Sequence, residues 1–137
     1  MKRVLFICTH NSARSQMAEA FLRISHGNHY EVYSAGIHPS EVNPYAIKVM
    51  AEIGIDISMY KSKSIEEFKN DNFDYVITVC DRAKETCPFF PRAKIFLHMS
   101  FDDPTQFNDS PTAALTEFRR VRDEIKAWIE NTFDRKL

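Results

Sequence analysis

Three thiols, one arginine and one carboxylate carry the chemistry that this sequence could perform. Cys8 and Arg14 bracket the run Thr9-His10-Asn11-Ser12-Ala13, and Ser15 follows directly. A cysteine and an arginine at this spacing, between an apolar run and an amphipathic stretch, read as strand, loop and helix with the loop wrapped around an anion. The backbone N–H groups of residues 9–14 can point inward at a tetrahedral oxyanion, and the positive end of a helix beginning near Ala13 adds to their field. Arg14 supplies a planar, permanently charged fork that binds two oxygens at once. The same field favours loss of the Cys8 proton, which predicts a nucleophilic thiolate at neutral pH, and Ser15 can direct its hydroxyl at that sulfur. The plainer reading makes Cys8 a small buried hydrophobe and Arg14 a surface charge, but it leaves the coincidence of loop and flanking patterns unexplained. A nucleotide-binding loop is excluded, because no Gly-x4-Gly-Lys occurs and the chain holds three glycines.

The elements that must position these groups follow from periodicity. Residues 4–7 are an apolar strand, after which Met17, Ala18, Phe21, Leu22 and Ser25 recur at helical spacing until His26-Gly27-Asn28 stops the helix as a C-cap. Residues 30–37 alternate like a strand. Asn43 as cap and Pro44 in the first turn open a second helix, with Ala46, Val49, Met50 and Ile53 as its buried stripe before Gly54. Residues 55–67 read as a polar connection without period. The β-branched run 75–79 predicts a strand covered on both faces, ending at Cys80, and 94–98 is the last strand. From Thr112 onward, Leu115, Phe118, Val121, Ile125, Trp128 and Ile129 mark one face of a long closing helix. The order predicts one doubly wound α/β domain over residues 1–137 with a four-stranded parallel sheet. Ligands in such sheets bind beyond the carboxyl ends of the strands, where the loops holding Cys8, Cys80 and Asp103 meet.

A chain of 137 residues buries roughly 68% of its unfolded surface around a single core, so no second domain is expected. The 18 Lys+Arg against 19 Asp+Glu leave a net charge of -1, and no global field attracts nucleic acid or a membrane surface. Any anion preference must be local. Four apolar residues after Met1-Lys2-Arg3 are too few for a signal-peptide core, and no later stretch approaches a membrane span, so a cytoplasmic protein is expected. Three cysteines in a reducing compartment suit thiol chemistry better than a disulfide framework.

Cys80 and Cys87 lie seven residues apart, just after a central strand. On a regular helix they would share a face about 10 Å apart, too far for a disulfide unless the segment unwinds. Structural zinc prefers a spacing of two to four with further ligands nearby, so no metal is expected. Two incidental cysteines are the remaining alternative. Asp103, before Pro104, reads by itself as a turn-forming dipeptide.

Cys8-x5-Arg14-Ser15 so near the N-terminus resembles the low-molecular-weight protein tyrosine phosphatase fold, which also houses thioredoxin-coupled arsenate reductases. The likeness extends through the last helix. Cys80 and Cys87 match the two recycling cysteines of the reductases, a pair that the phosphatases lack, while Ala13 stands where the phosphatases carry a second loop cysteine. Asp103 is similar to the general acid of both branches, and Thr105 replaces the tyrosine with which phosphatases grip an aryl substrate. The resemblance implies an arsenate reductase with the loop of Thr9, His10, Asn11, Ser12, Ala13 and Arg14 around arsenate, or around phosphate or sulfate in the same place. In the implied relay Cys8 attacks arsenic, Cys80 attacks Cys8, and Cys87 attacks Cys80. Thioredoxin or a similar dithiol then reduces the Cys80–Cys87 disulfide, with no cofactor. The alternative is a phosphatase using Cys8 and Asp103 alone. His10 replaces a glycine of many relatives and is expected to take an unusual backbone angle there. Some relatives bind potassium near the loop. Asn11, Glu19 and Ser34 match part of that site, but Lys61 and Lys63 stand where oxygen ligands would be expected. A monomer is expected.

Overall fold

A computed structural model of the chain describes residues 1–81, 83, 93–106 and 109–133. Four strands, β1 (Lys2–Cys8), β2 (Tyr30–Gly36), β3 (Phe73–Thr78) and β4 (Ala93–His98), form one sheet in the order β2-β1-β3-β4, every pairing parallel. The doubly wound α/β reading holds. Among the described residues, α1 (Arg14–His26), α2 (Pro44–Ala51) and α3 (Pro111–Phe133) cover the sheet. Parallel strands need helical crossovers on both faces, so a central strand loses its polar alternation. In β1, Val4, Leu5, Phe6 and Ile7 are all fully buried.

The predicted faces hold with local corrections. On α3, Phe118, Val121, Ile125 and Ile129 are buried, with Leu115 and Trp128 partly so. Ser25 lies off the apolar stripe of α1, exposed, its hydroxyl donating to the Phe21 carbonyl. Ile53 is 40% exposed because α2 ends at Ala51. Gly27 closes α1 in a right-handed conformation (φ −61°); the left-handed glycine is Gly54 (φ 83°), which turns the chain after α2. The polar connection is not featureless either. Ile57 is fully buried, and a 3-10 turn at Ile65–Phe68 tucks Ile65 and Phe68 into the core. Ser64 and Glu67 close that turn as a reciprocal capping box, a Ser-x-x-Glu signal legible in the sequence.

Candidate active site

The loop between β1 and α1 owes its shape to where its carbonyls go. Those of Cys8, Thr9, His10 and Ser12 accept from the N–H groups of Ile37, His38, Ser40 and Asn43, at 2.8–3.3 Å. The Asn11 carbonyl accepts from Gln16 Nε2 at 3.0 Å. With five successive carbonyls turned outward, the amide N–H groups are left to face the centre of the loop, the arrangement an anion requires. The segment after β2 can approach this closely because Gly36 has no side chain. A Cβ there would stand 2.8 Å from both Asn11 N and His10 C.

Asn11 takes the left-handed conformation, with φ 50°. The unusual backbone angle expected at His10 belongs instead to its neighbour, a residue type that tolerates it. Its buried side chain secures the turn, donating to Ser15 Oγ at 2.8 Å and Ser34 Oγ at 2.9 Å and accepting from Gln16 Nε2 and the Lys63 N–H. Ser15 is fully buried. Its oxygen holds this bond, leaving the hydroxyl proton to donate. His10 is exposed, its Nδ1 donating to the His38 carbonyl at 2.9 Å.

Asn11, Glu19 and Ser34 are brought together beneath the loop. Ser34 Oγ donates to Glu19 Oε1 at 2.5 Å, and Arg23 stands 2.6 Å from the other oxygen of that buried carboxylate. Lys63 Nζ is 3.9 Å from Glu19 and 2.8 Å from the Lys61 carbonyl. Burial lowers the pKa of Lys63, with Glu19 opposing the shift. Two side-chain cations already face Glu19, an arrangement that does not fit a bound potassium.

Arg14, at the first position of α1, crosses to the loop after β4. Its Nη1 donates to the Phe101 carbonyl at 3.0 Å, and its Nη2 lies 3.8 Å from Asp103 Oδ2. Asp103 accepts on its other oxygen from the N–H and hydroxyl of Thr105. This loop is held from outside. Phe101 packs edge-on against Trp128 of α3, and Arg120 pairs with Asp102 at 3.0 Å, so the next carboxylate is the one that faces Arg14. Cys8, His10, Ser12, Ala13, Arg14 and Asp103 border a pocket of about 80 Å³. A neighbouring cavity of about 380 Å³ shares His10, Arg14 and Asp103 and adds Thr9, Cys80 and Asp81.

Cys8 and Cys80, on adjacent strand ends, are both buried and unbridged, and their side chains are hydrogen-bonded to each other. This contact alters the ionisation expected of Cys8. Its thiol is pushed well above the ordinary range, first by the hydrogen bond it gives to Cys80 and then by burial, against the pull of Arg14. Cys80 is pushed down to about 5, first by that same bond, then by the Thr9 hydroxyl, 3.3 Å away, the Ala83 N–H and Arg14, with burial opposing. The two shifts run in opposite directions, as expected of two thiols that share one proton. The Cys80–Thr9 contact had no signal in sequence, since it joins residues 71 apart. Cys87 lies outside the described residues.

A loop of inward amides, an arginine and a carboxylate around a thiol at the end of the first parallel strand define a protein of the phosphatase class. Residues 3–136 match the family of the low molecular weight phosphotyrosine protein phosphatases, and the chain belongs to that family. Arsenate reductase 1 of Staphylococcus epidermidis is 48% identical over 129 residues, covering 94% of this chain and 93% of its own. The arsenate reductase of Halalkalibacterium halodurans is 45% identical over 124 residues, covering 90% and 89%. Among solved structures, an arsenate reductase in a phosphate-binding state superposes with a TM-score of 0.82 at 40% identity, covering 96% of this chain and 95% of that one. A thioredoxin-dependent arsenate reductase of Corynebacterium glutamicum gives 0.70 at 30% identity, covering 96% of this chain and 59% of that one.

Proposed function

We propose that this protein reduces arsenate to arsenite by a relay of three thiols, working as a single domain over residues 1–137. The observation that carries the reading is the Cys8–Cys80 contact beside Arg14, at the junction of the two cavities. A phosphatase needs one thiol at this place. A second, whose ionisation is favoured, gives the loop a reducing partner. The close similarity to proteins named arsenate reductases over nearly the whole chain supports the same conclusion.

In this mechanism arsenate lies in the loop of residues 9–14, two of its oxygens on the Arg14 fork. The proton shared by the two sulfurs passes to Cys80, and Cys8 thiolate, steadied by the Ser15 hydroxyl, bonds to arsenic. Asp103 protonates the oxygen that departs as water, and its carboxylate, on the wall it shares with Cys80, then takes the Cys80 proton. Cys80 thiolate attacks Cys8 Sγ. The sulfur–arsenic bond breaks with its electron pair going to arsenic, which leaves as arsenite, and the two thiols are oxidised to a Cys8–Cys80 disulfide. Cys87 thiolate next attacks Cys80, restoring Cys8 as a thiolate and moving the disulfide to Cys80–Cys87. A dithiol protein of the thioredoxin kind reduces it. Phosphate or sulfate would occupy the same loop without being reduced. The mechanism needs no cofactor or metal, and we place it in the cytoplasm, where thiols stay reduced, with the protein acting as a monomer.

The test is arsenite production from arsenate with thioredoxin, glutaredoxin and glutathione supplied in turn. Turnover that depends on a dithiol and is abolished in Cys8→Ser is the expected result. Hydrolysis of an aryl phosphate without reductant, and no arsenite with any thiol, would establish the phosphatase instead. The Arg14–Asp103 arrangement serves either chemistry, which is why the reductant requirement decides.

A further inference from the structure

A hydrogen-bonded chain outside the anion loop ends on the residue next to Cys80. Thr78 Oγ1, fully buried at the end of β3, lies 2.7 Å from His98 Nδ1, and His98 Nε2 lies 2.9 Å from Asp81 Oδ1. His98 is a fixed post. It is the last residue of β4, stands opposite Thr78 in the sheet register, and its side chain is 20% exposed. A carboxylate only accepts, so Nε2 carries the proton that binds Asp81. Nδ1 accepts from the threonine hydroxyl in the neutral ring and donates to it in the charged one, so the chain persists in both forms. Asp81 also lines the larger cavity beside Cys80.

From this geometry we infer that His98 is a positioning residue for the second chemical step, the attack of Cys80 on Cys8. The inference rests on the arsenate-reductase reading for its biological use, but not for its measurement. Residues 81 and 83 are helical, and Cys80 accepts from the Ala83 N–H as the cap of that turn. With Asp81 anchored to the sheet through His98 and Thr78, the turn starts in one place and the Cys80 sulfur stays in reach of both Cys8 and Thr9. Without the anchor, Cys80 would be held by its strand on one side only. The bonds of His98 run to Thr78 and Asp81 and not to the loop that holds the anion, so losing its side chain should act on the encounter of the two sulfurs and leave anion binding alone.

The experiment measures the effective concentration of Cys80 at Cys8. In a Cys87→Ser background the Cys8–Cys80 disulfide is equilibrated against reduced and oxidised glutathione and quantified by peptide mapping, while inorganic phosphate affinity is measured by calorimetry. His98→Ala should lower the disulfide equilibrium constant roughly five- to tenfold, the scale of one lost hydrogen bond, with phosphate affinity within twofold of the parent. His98→Gln, whose amide can still donate to Asp81, should recover part of the loss. Should His98→Ala fail to fold, Asp81→Ala removes the acceptor, leaves His98 packed on Thr78 and should lower the constant in the same direction. An unchanged constant in the folded variants overturns the inference, as does an equal loss of phosphate affinity, which would mean general loosening of the site. Arsenite release by the wild-type protein is scored separately and judges the reductase reading alone.

Discussion

Replacing Cys8 by alanine tests the claim that the two thiols share one proton. In the native pair Cys80 ionises at about 5, and the largest cause is the hydrogen bond from Cys8. That shift favours the thiolate at neutral pH. Alanine removes the donor but leaves the Thr9 hydroxyl, the Ala83 N–H and the Arg14 charge, all of which still favour the anion. The Cys80 midpoint should therefore move up by roughly 1–3 pH units, short of the ordinary thiol. The assay is the pH dependence of Cys80 alkylation by iodoacetamide, mapped by peptide mass and checked by ultraviolet thiolate absorbance in a Cys87→Ser background. The linkage has a sign. A depressed folded-state value stabilises the protein fully above the unfolded thiol value, 9.0, and that contribution fades as pH falls through about 5. Cys8, with its value raised, acts oppositely, stabilising below 9.0 and losing this as pH rises through its folded value. Between pH 9 and pH 5 the Cys8→Ala variant should thus lose less stability than its parent in denaturant titrations. An alkylation midpoint still at about 5 in the variant would refute the shared-proton account.

Three further outcomes follow from the site. Asp103→Asn should slow formation of the first arsenic adduct by roughly a hundredfold without unfolding the protein, the usual scale for a lost general acid, and single-turnover rapid quench reads it directly. Cys87→Ser should release one equivalent of arsenite and stop with a Cys8–Cys80 bridge that peptide mapping detects. Sustained cycling with thioredoxin at the wild-type rate would mean that Cys87 takes no part. Gly36→Ala would set a methyl 2.8 Å from the Asn11 and His10 backbone. Destabilisation of roughly 1–3 kcal/mol in denaturant titration, together with weaker phosphate binding, is expected because rigid backbone has to yield.

The sheet, its order of elements and the anion loop were legible because each rests on local rules. The Cys8-to-Arg14 spacing, the β-branched run before Cys80 and the apolar face of α3 are each confined to one segment, where side-chain type and period carry the information. The capping box at Ser64 and Glu67 is equally local. What the sequence could not supply was anything that depends on two distant segments meeting. Nothing in the residues 9–14 says that their carbonyls will be taken up by the backbone after β2, nor that the left-handed turn falls on Asn11 rather than His10. Most plainly, a cysteine beside an arginine reads as the thiolate of its loop. The fold sets a second thiol against it from a neighbouring strand end, which pushes the ionisation of Cys8 up and that of Cys80 down. Residue type and spacing determined which groups could react, and only the parallel packing of β1 beside β3 set two of the thiols close enough to shift each other's ionisation.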